Sequence, residues 1–163
     1  MKTIYLAGGC FWGLQKFLDQ FDGVLQTEVG YANGPDEKPS YQDVCRSVGH
    51  AETVKVQYDP EELSLAKLLE YYFLVIDPLS MNRQGHDSGI QYRTGIYYKE
   101  DDQLPEIRAV YDEQEKKAGA KLAVELGPLV NFYSAEEYHQ KYLVKNPGGY
   151  CHIPESKLHM AKR

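Results

Sequence analysis

No stretch of this chain approaches the roughly 18 consecutive apolar residues of a membrane span, so no membrane-crossing helix is expected. Basic residues are too few to favour nucleic acid. Eighteen against 24 acidic ones leave a net charge of −6, which a polyanion would repel. Cysteine is scarce as well: Cys10, Cys45 and Cys151 are too few and too scattered for the disulfide framework of a small secreted domain. The five histidines offer neither an HExxH pair nor a partner for CxxC spacing, so a zinc centre has weak support. Nucleotide-binding motifs are absent too. Only Ile4, Tyr5, Leu6 and Ala7 precede the first glycines, whereas an export signal needs an apolar core of about 7–15 residues. The expected address is therefore the cytoplasm, where a lasting disulfide would be unusual and a transient one would not.

What is present suits one globular catalytic domain spanning 1–163. Hydrophobic residues make up 42% and charged residues 26%, an ordinary globular balance. Tyrosine dominates the aromatics, with 14 against 5 phenylalanines and one tryptophan. Most tyrosines serve as core-edge residues, but a few can bring hydroxyl donors to a site.

Residues 3–8 read as a short strand that leaves through the Gly8-Gly9 pair. Phe11, Leu14, Phe17, Leu18 and Phe21 follow at helical spacing, so Cys10 stands where a strand hands over to a helix. A second strand is predicted from Val24 to Tyr31, then a turn-rich loop from Asn33 to Ser40. In 51–58, AETVKVQY, the period of two puts Glu52, Val54, Val56 and Tyr58 on one face and Thr53, Lys55 and Gln57 on the other. A carboxylate thus shares the inward face with two valines. Ser64 is placed to cap a helix with the stripe Leu65, Leu68, Leu69, Tyr72 and Phe73, and a polar loop spans Asp77 to Gly89. Further predictions are a strand around 91–98, a long helix from about Asp102 to Ala123, and a strand near 129–133. Ser134 and Glu137 form a capping box for a short helix. The segment 146–163, rich in glycine and proline, shows no periodicity and reads as a flexible tail. Irregular alternation with an adjacent strand pair favours an α+β two-layer sandwich over a doubly wound sheet.

Three positions carry possible chemistry. Only a thiolate attacks, and a free thiol has a pKa of about 8.5. A helix N-terminus stabilises an anion by at most about 2 kcal/mol, or roughly one and a half pK units at about 1.36 kcal/mol each. Cys10 is then either a poised nucleophile or a small buried hydrophobe, and neighbouring Phe11 and Trp12 can wall a pocket for a methyl group. Glu52 is either a solvated or paired carboxylate at a strand end, or a desolvated one kept protonated as a proton donor. Cys151, after Gly148 and Gly149, suits a mobile resolving thiol better than a core cysteine. Cys45 reads as structural.

The stretches GCFWG (9–13), GHAE (49–52), QGHDSGIQYR (84–93), AEEYHQKY (135–142) and GYC (149–151) together resemble the methionine sulfoxide reductases of type A, in order over nearly the whole chain. The resemblance implies an α+β sandwich around a ferredoxin-like split β-α-β core. It also implies reduction of methionine S-sulfoxide, free or in proteins, with thioredoxin as final reductant; the chain itself is expected to be a monomer. By the same resemblance Cys10 is the nucleophile, Phe11 and Trp12 the methyl pocket, and Glu52 the buried acid. Tyr41 and Tyr92 supply the hydroxyls that share the sulfoxide oxygen, Asp87 lines the site, and Cys151 resolves the oxidised nucleophile as a Cys10–Cys151 disulfide. No cofactor is implied, because thiols provide both electrons. The chain departs from the family's pattern at His86, Ser88 and Ile76, positions that bear on substrate preference. Alternatives from the residues alone are a cysteine acyltransferase or hydrolase with His50 or His139 as base, a peptide-binding module gripping a side chain between Phe11 and Trp12, and a zinc protein using Cys10, Cys151 and histidines.

Overall fold

The computed structural model describes residues 1–33, 50–81, 83–84, 87–88, 90–146, 153 and 155–158. Tyr41, Cys45, His86 and Cys151 lie outside them, as does most of the loop expected over 33–40. Strand β1 (Lys2–Ala7) runs into helix α1 (Phe11–Asp19), followed by β2 (Val24–Ala32) and β3 (Ala51–Tyr58). Helix α2 (Leu65–Phe73) leads through the two-residue strands β4 (Arg83–Gln84) and β5 (Asp87–Ser88) to β6 (Gly95–Tyr98). Helix α3 (Leu104–Ala118), β7 (Glu125–Pro128), β8 (Phe132–Ser134) and the single turns α4 (Tyr142–Lys145) and α5 (Glu155–Leu158) complete the described elements.

Six strands form one sheet in the order β7-β6-β1-β3-β2-β8. β3 is antiparallel to both β1 and β2, so β1 and β2 are parallel and α1 crosses between them with β3 inserted. By the same logic β1 lies between the parallel pair β3 and β6, joined through α2. Two interlocked split β-α-β units, with the order β6-β1-β3-β2, are the ferredoxin-like core that the family resemblance implies. β7 extends it in parallel at one edge and β8 in antiparallel at the other. No helix among the described residues is long and apolar enough to cross a membrane.

Alternation decides which face is covered. Ile4, Leu6, Val29, Tyr31, Val54, Val56 and Tyr58 point toward the helices and pack against Phe11, Leu14, Phe17, Leu18, Leu68, Leu69 and Tyr72. Tyr5, Ala7, Ala32, Ala51 and Tyr97 form a smaller cluster on the opposite face. The result is the two-layer sandwich. α2 is held as its sequence dictates: the Ser64 hydroxyl accepts from the Lys67 N–H at 3.1 Å, and all five residues of its stripe are buried.

Four boundaries differ from the reading above. The strand predicted over 91–98 begins only at Gly95, because Ile90–Tyr92 is a 3₁₀ turn. The long helix stops at Ala118: Gly119 is left-handed, φ 66°, and its N–H closes onto the Glu115 and Lys116 carbonyls, a glycine C-cap. Of the strand expected near 129–133 only Phe132 and Tyr133 are strand, in β8, and β7 lies before it, since the Asn33 side chain accepts from Val130 N–H at 2.7 Å and takes that backbone out of any ladder. Ser134 caps nothing. It closes β8, and its hydroxyl donates to Glu28 at 2.8 Å. Within the tail, Ile153 and Leu158 are buried in the main core.

Candidate active site

β1 ends at Ala7, and two glycines turn the chain onto α1. Gly8 has no room for a side chain, since a Cβ there would meet Ile76 Cγ2 at 2.7 Å. Gly9 sits at φ 76°, where a side chain is strained, and its N–H donates to the Tyr92 carbonyl at 3.3 Å. Cys10 is thereby delivered to the N-cap of α1 in extended conformation, with no side-chain cap hydrogen bond and 6% of its surface exposed. The thiol stands at the positive end of a nine-residue helix, where an anion is favoured.

Glu52 arrives from β3, opposite Tyr31 of β2 in the ladder. It is 1% exposed, on the inward face as the period of two requires. Its Oε1 accepts from the Phe11 N–H at 3.2 Å. The first helical residue after the thiol is therefore tied to a carboxyl 41 positions away in sequence.

The aromatic pair following Cys10 splits its duties. Phe11 is fully buried, with ring centres 5.8 Å from Tyr31 and 5.4 Å from His139. Trp12 is half-buried and stacks on Tyr142 at 3.9 Å and 15°. Its indole N–H donates to His139 Nδ1 at 2.9 Å. Tyr31 donates its hydroxyl to Glu136 at 2.9 Å, and burial together with that carboxylate pushes its pKa up.

Tyr92 closes the 3₁₀ turn Ile90–Tyr92, and its carbonyl lies against the Cys10 turn. For Asp87 only the main chain, in β5, is described. Ile76, a departure from the family pattern, is buried against Gly8.

Sequence reasoning did not find Tyr31, Glu136, Tyr142 or the role of His139, which it weighed only as a base. Two signals were available. The single indole N–H in a buried setting needs an acceptor, and AEEYHQKY holds an imidazole and a phenol that could supply one.

A pH response follows. Neutral His139 accepts from Trp12 through Nδ1, and protonated His139 does not. Burial pushes the His139 pKa below its ordinary 6.5, with Glu136 pulling the other way. A depressed folded pKa means that the stabilisation is complete above about 6.5 and is lost as the pH falls from there through the folded value. Trp12 emission and the urea midpoint are expected to be steady above neutrality and to change together on acidification. Emission that stays flat through the folded pKa and below it, in protein that is still folded, would contradict the hydrogen bond's role.

A family model described as peptide methionine sulfoxide reductase matches residues 2–163. The chain is 54% identical over 159 residues to the peptide methionine sulfoxide reductase MsrA of Clostridium acetobutylicum, covering 97% of this chain and 98% of that one. Among solved structures it is similar to Mxr1 from Saccharomyces cerevisiae in reduced form, with TM-score 0.87 and 41% identity over 92% of this chain and 88% of that one. It is also similar to Mxr1 in complex with Trx2, with TM-score 0.59 and 28% identity over 86% and 84% of the two chains.

Proposed function

Because this chain belongs to the peptide methionine sulfoxide reductase family, an enzyme family acting through thiols, we propose that Cys10 is its nucleophile and Glu52 its proton donor. The observation that carries the assignment is the Phe11 N–H···Glu52 hydrogen bond, which couples a buried carboxyl to the residue next to a thiol at a helix N-terminus.

The helix end favours the thiolate of Cys10, which attacks the sulfoxide sulfur. The attack forms a sulfur–sulfur bond. Once protonated, the sulfoxide oxygen transfers as hydroxyl to the Cys10 sulfur while the S–O and sulfur–sulfur bonds break. This leaves a sulfenic acid and releases methionine with an electron pair restored to its sulfur. The leaving oxygen needs a proton. Near-complete burial favours the neutral acid of Glu52 over the anion, and a protonated carboxyl keeps one oxygen to accept from Phe11 while offering an O–H. The Tyr41 and Tyr92 hydroxyls share that oxygen, and Asp87 lines the site. Phe11 and Trp12 hold the substrate methyl group, with the indole fixed by His139 and Tyr142. Cys151 then attacks the sulfenic sulfur, releasing water and leaving a Cys10–Cys151 disulfide. Thioredoxin reduces that disulfide, a reading supported by the relative captured with Trx2. The cycle uses thiol electrons alone, in a single-domain monomer of the cytoplasm.

The test is incubation with racemic methionine sulfoxide and dithiothreitol, followed by chromatography that separates the epimers. Loss of the S epimer alone is the expected result, and loss of neither would end the proposal. Cys151→Ser is expected to release one methionine per enzyme and then stall with thioredoxin. Continued cycling at the normal rate would mean that another thiol resolves Cys10.

A further inference from the structure

Gln15 is a polar residue on the buried face of α1, 1% exposed, and every polar atom of its side chain is used. Its Nε2 donates to the Thr27 carbonyl at 3.4 Å and hydroxyl at 3.2 Å. Its Oε1 accepts from the Lys141 backbone N–H at 2.9 Å. One amide thus joins α1, β2 and the segment just before α4.

Lys141 has φ 55° and ψ 36°, a left-handed conformation that a residue with a Cβ adopts only when its surroundings hold it there. Those surroundings are visible. Its N–H is held by Gln15, and its ammonium bonds Asp19 and the Thr27 hydroxyl, which itself donates to Asp19. Trp12, Gln15 and Asp19 fall at i, i+3 and i+7, one stripe of α1. Opposite that stripe, Lys141 separates His139 from Tyr142, the two groups that touch the Trp12 ring. Reversing the chain direction at Lys141 lets an imidazole and a phenol from the same short segment reach one indole.

We propose that Gln15 and Lys141 are positioning residues for Trp12: together they hold the left-handed turn at 141, which sets His139 and Tyr142 against the indole and so fixes the wall of the substrate pocket. The pocket role of Trp12 is part of the function proposed above, and the fluorescence read-out below does not depend on it. Trp12 is the only tryptophan in the chain, so intrinsic emission reports this wall directly.

The experiment compares Gln15→Leu, Lys141→Ala and Lys141→Gly with the parent protein, below the melting temperature of each. Gln15→Leu removes the acceptor for the turn, and Trp12 emission is expected to move to longer wavelength. KM for methionine sulfoxide is expected to rise roughly tenfold, with kcat in dithiothreitol much less affected, the pattern of lost uniform binding. Lys141→Ala lacks the ammonium anchor yet still needs a strained backbone, so it should shift in the same direction. Lys141→Gly adopts the left-handed turn without strain and is expected to recover most of the parent emission and KM. If Gln15→Leu does not fold, the alanine–glycine contrast decides alone. Parent-like emission and KM in folded Gln15→Leu and in Lys141→Ala would overturn the proposal, even if both melt earlier, since a purely stabilising contact moves only the melting temperature. A shift in emission with no sulfoxide reduction by any protein, the parent included, would instead refute the assigned function while leaving the positioning intact.

Discussion

Cys10→Ser is expected to abolish methionine release even in a single turnover, while the protein folds at least as well as before. Oxygen cannot replace sulfur here. The hydroxyl is not ionised near neutral pH, and it offers no atom that can take up the sulfoxide oxygen and two oxidising equivalents, as sulfur does in becoming a sulfenic acid. The fold predicts the opposite sign for stability. Cys10 occupies the N-cap of α1 without a side-chain cap bond, and serine is among the preferred N-cap residues, favoured over non-capping ones by about 1 kcal/mol. Its hydroxyl can reach the N–H of Trp12 or Gly13 in the first turn. Stoichiometric enzyme and sulfoxide without reductant, quenched and assayed for methionine, measures the first effect, and thermal melting the second. An inactive, equally or more stable variant is the expected pair of results. Appreciable methionine from it would remove Cys10 from the chemistry.

Glu52→Gln is the second large effect. The amide keeps the size of the side chain, and its carbonyl oxygen still accepts from Phe11 N–H, so the 3.2 Å link to α1 survives. What it lacks is a transferable proton. A positioned general acid contributes on the order of 10²–10⁴-fold, equivalent to about 2.7–5.4 kcal/mol of barrier. The single-turnover rate should fall by that factor, with substrate affinity changed far less, since the interaction is made in the transition state. Rapid-quench kinetics over a range of substrate concentrations separates the two. An undiminished first-step rate would assign the proton to another group.

Both residues could be read from sequence because their cues are local. A strand that meets two glycines and then an apolar stripe at helical spacing places Cys10 at a helix start. The alternation of Thr53, Lys55 and Gln57 with Val54, Val56 and Tyr58, extended back by one residue, turns Glu52 inward. The α2 boundaries were legible for the same reason, since Ser64 and the stripe behind it lie within ten residues. What escaped depends on distant partners. Trp12 and His139 are 127 positions apart, and the fate of Ser134 is decided by Glu28 on a neighbouring strand. The end of α3 was misread although its signal was present: Leu122 continues the apolar spacing past Gly119, but it is buried from a non-helical segment instead. Tyr41, Tyr92 and Asp87 come from family resemblance alone, since nothing in their spacing assigns them a role, whereas the two glycines before Cys151 already suggest a resolving thiol.

The glutamines beside β2 have one more consequence. β8 pairs with β2 only at Gly30, Tyr31 and Ala32, and an uncovered strand edge is a template onto which a foreign strand can add. Gln140 occupies both the N–H and the carbonyl of Val29, and Gln15 takes the Thr27 carbonyl. Side-chain amides thus imitate the missing neighbour, leaving less of this border open to the edge-to-edge stacking that starts aggregates.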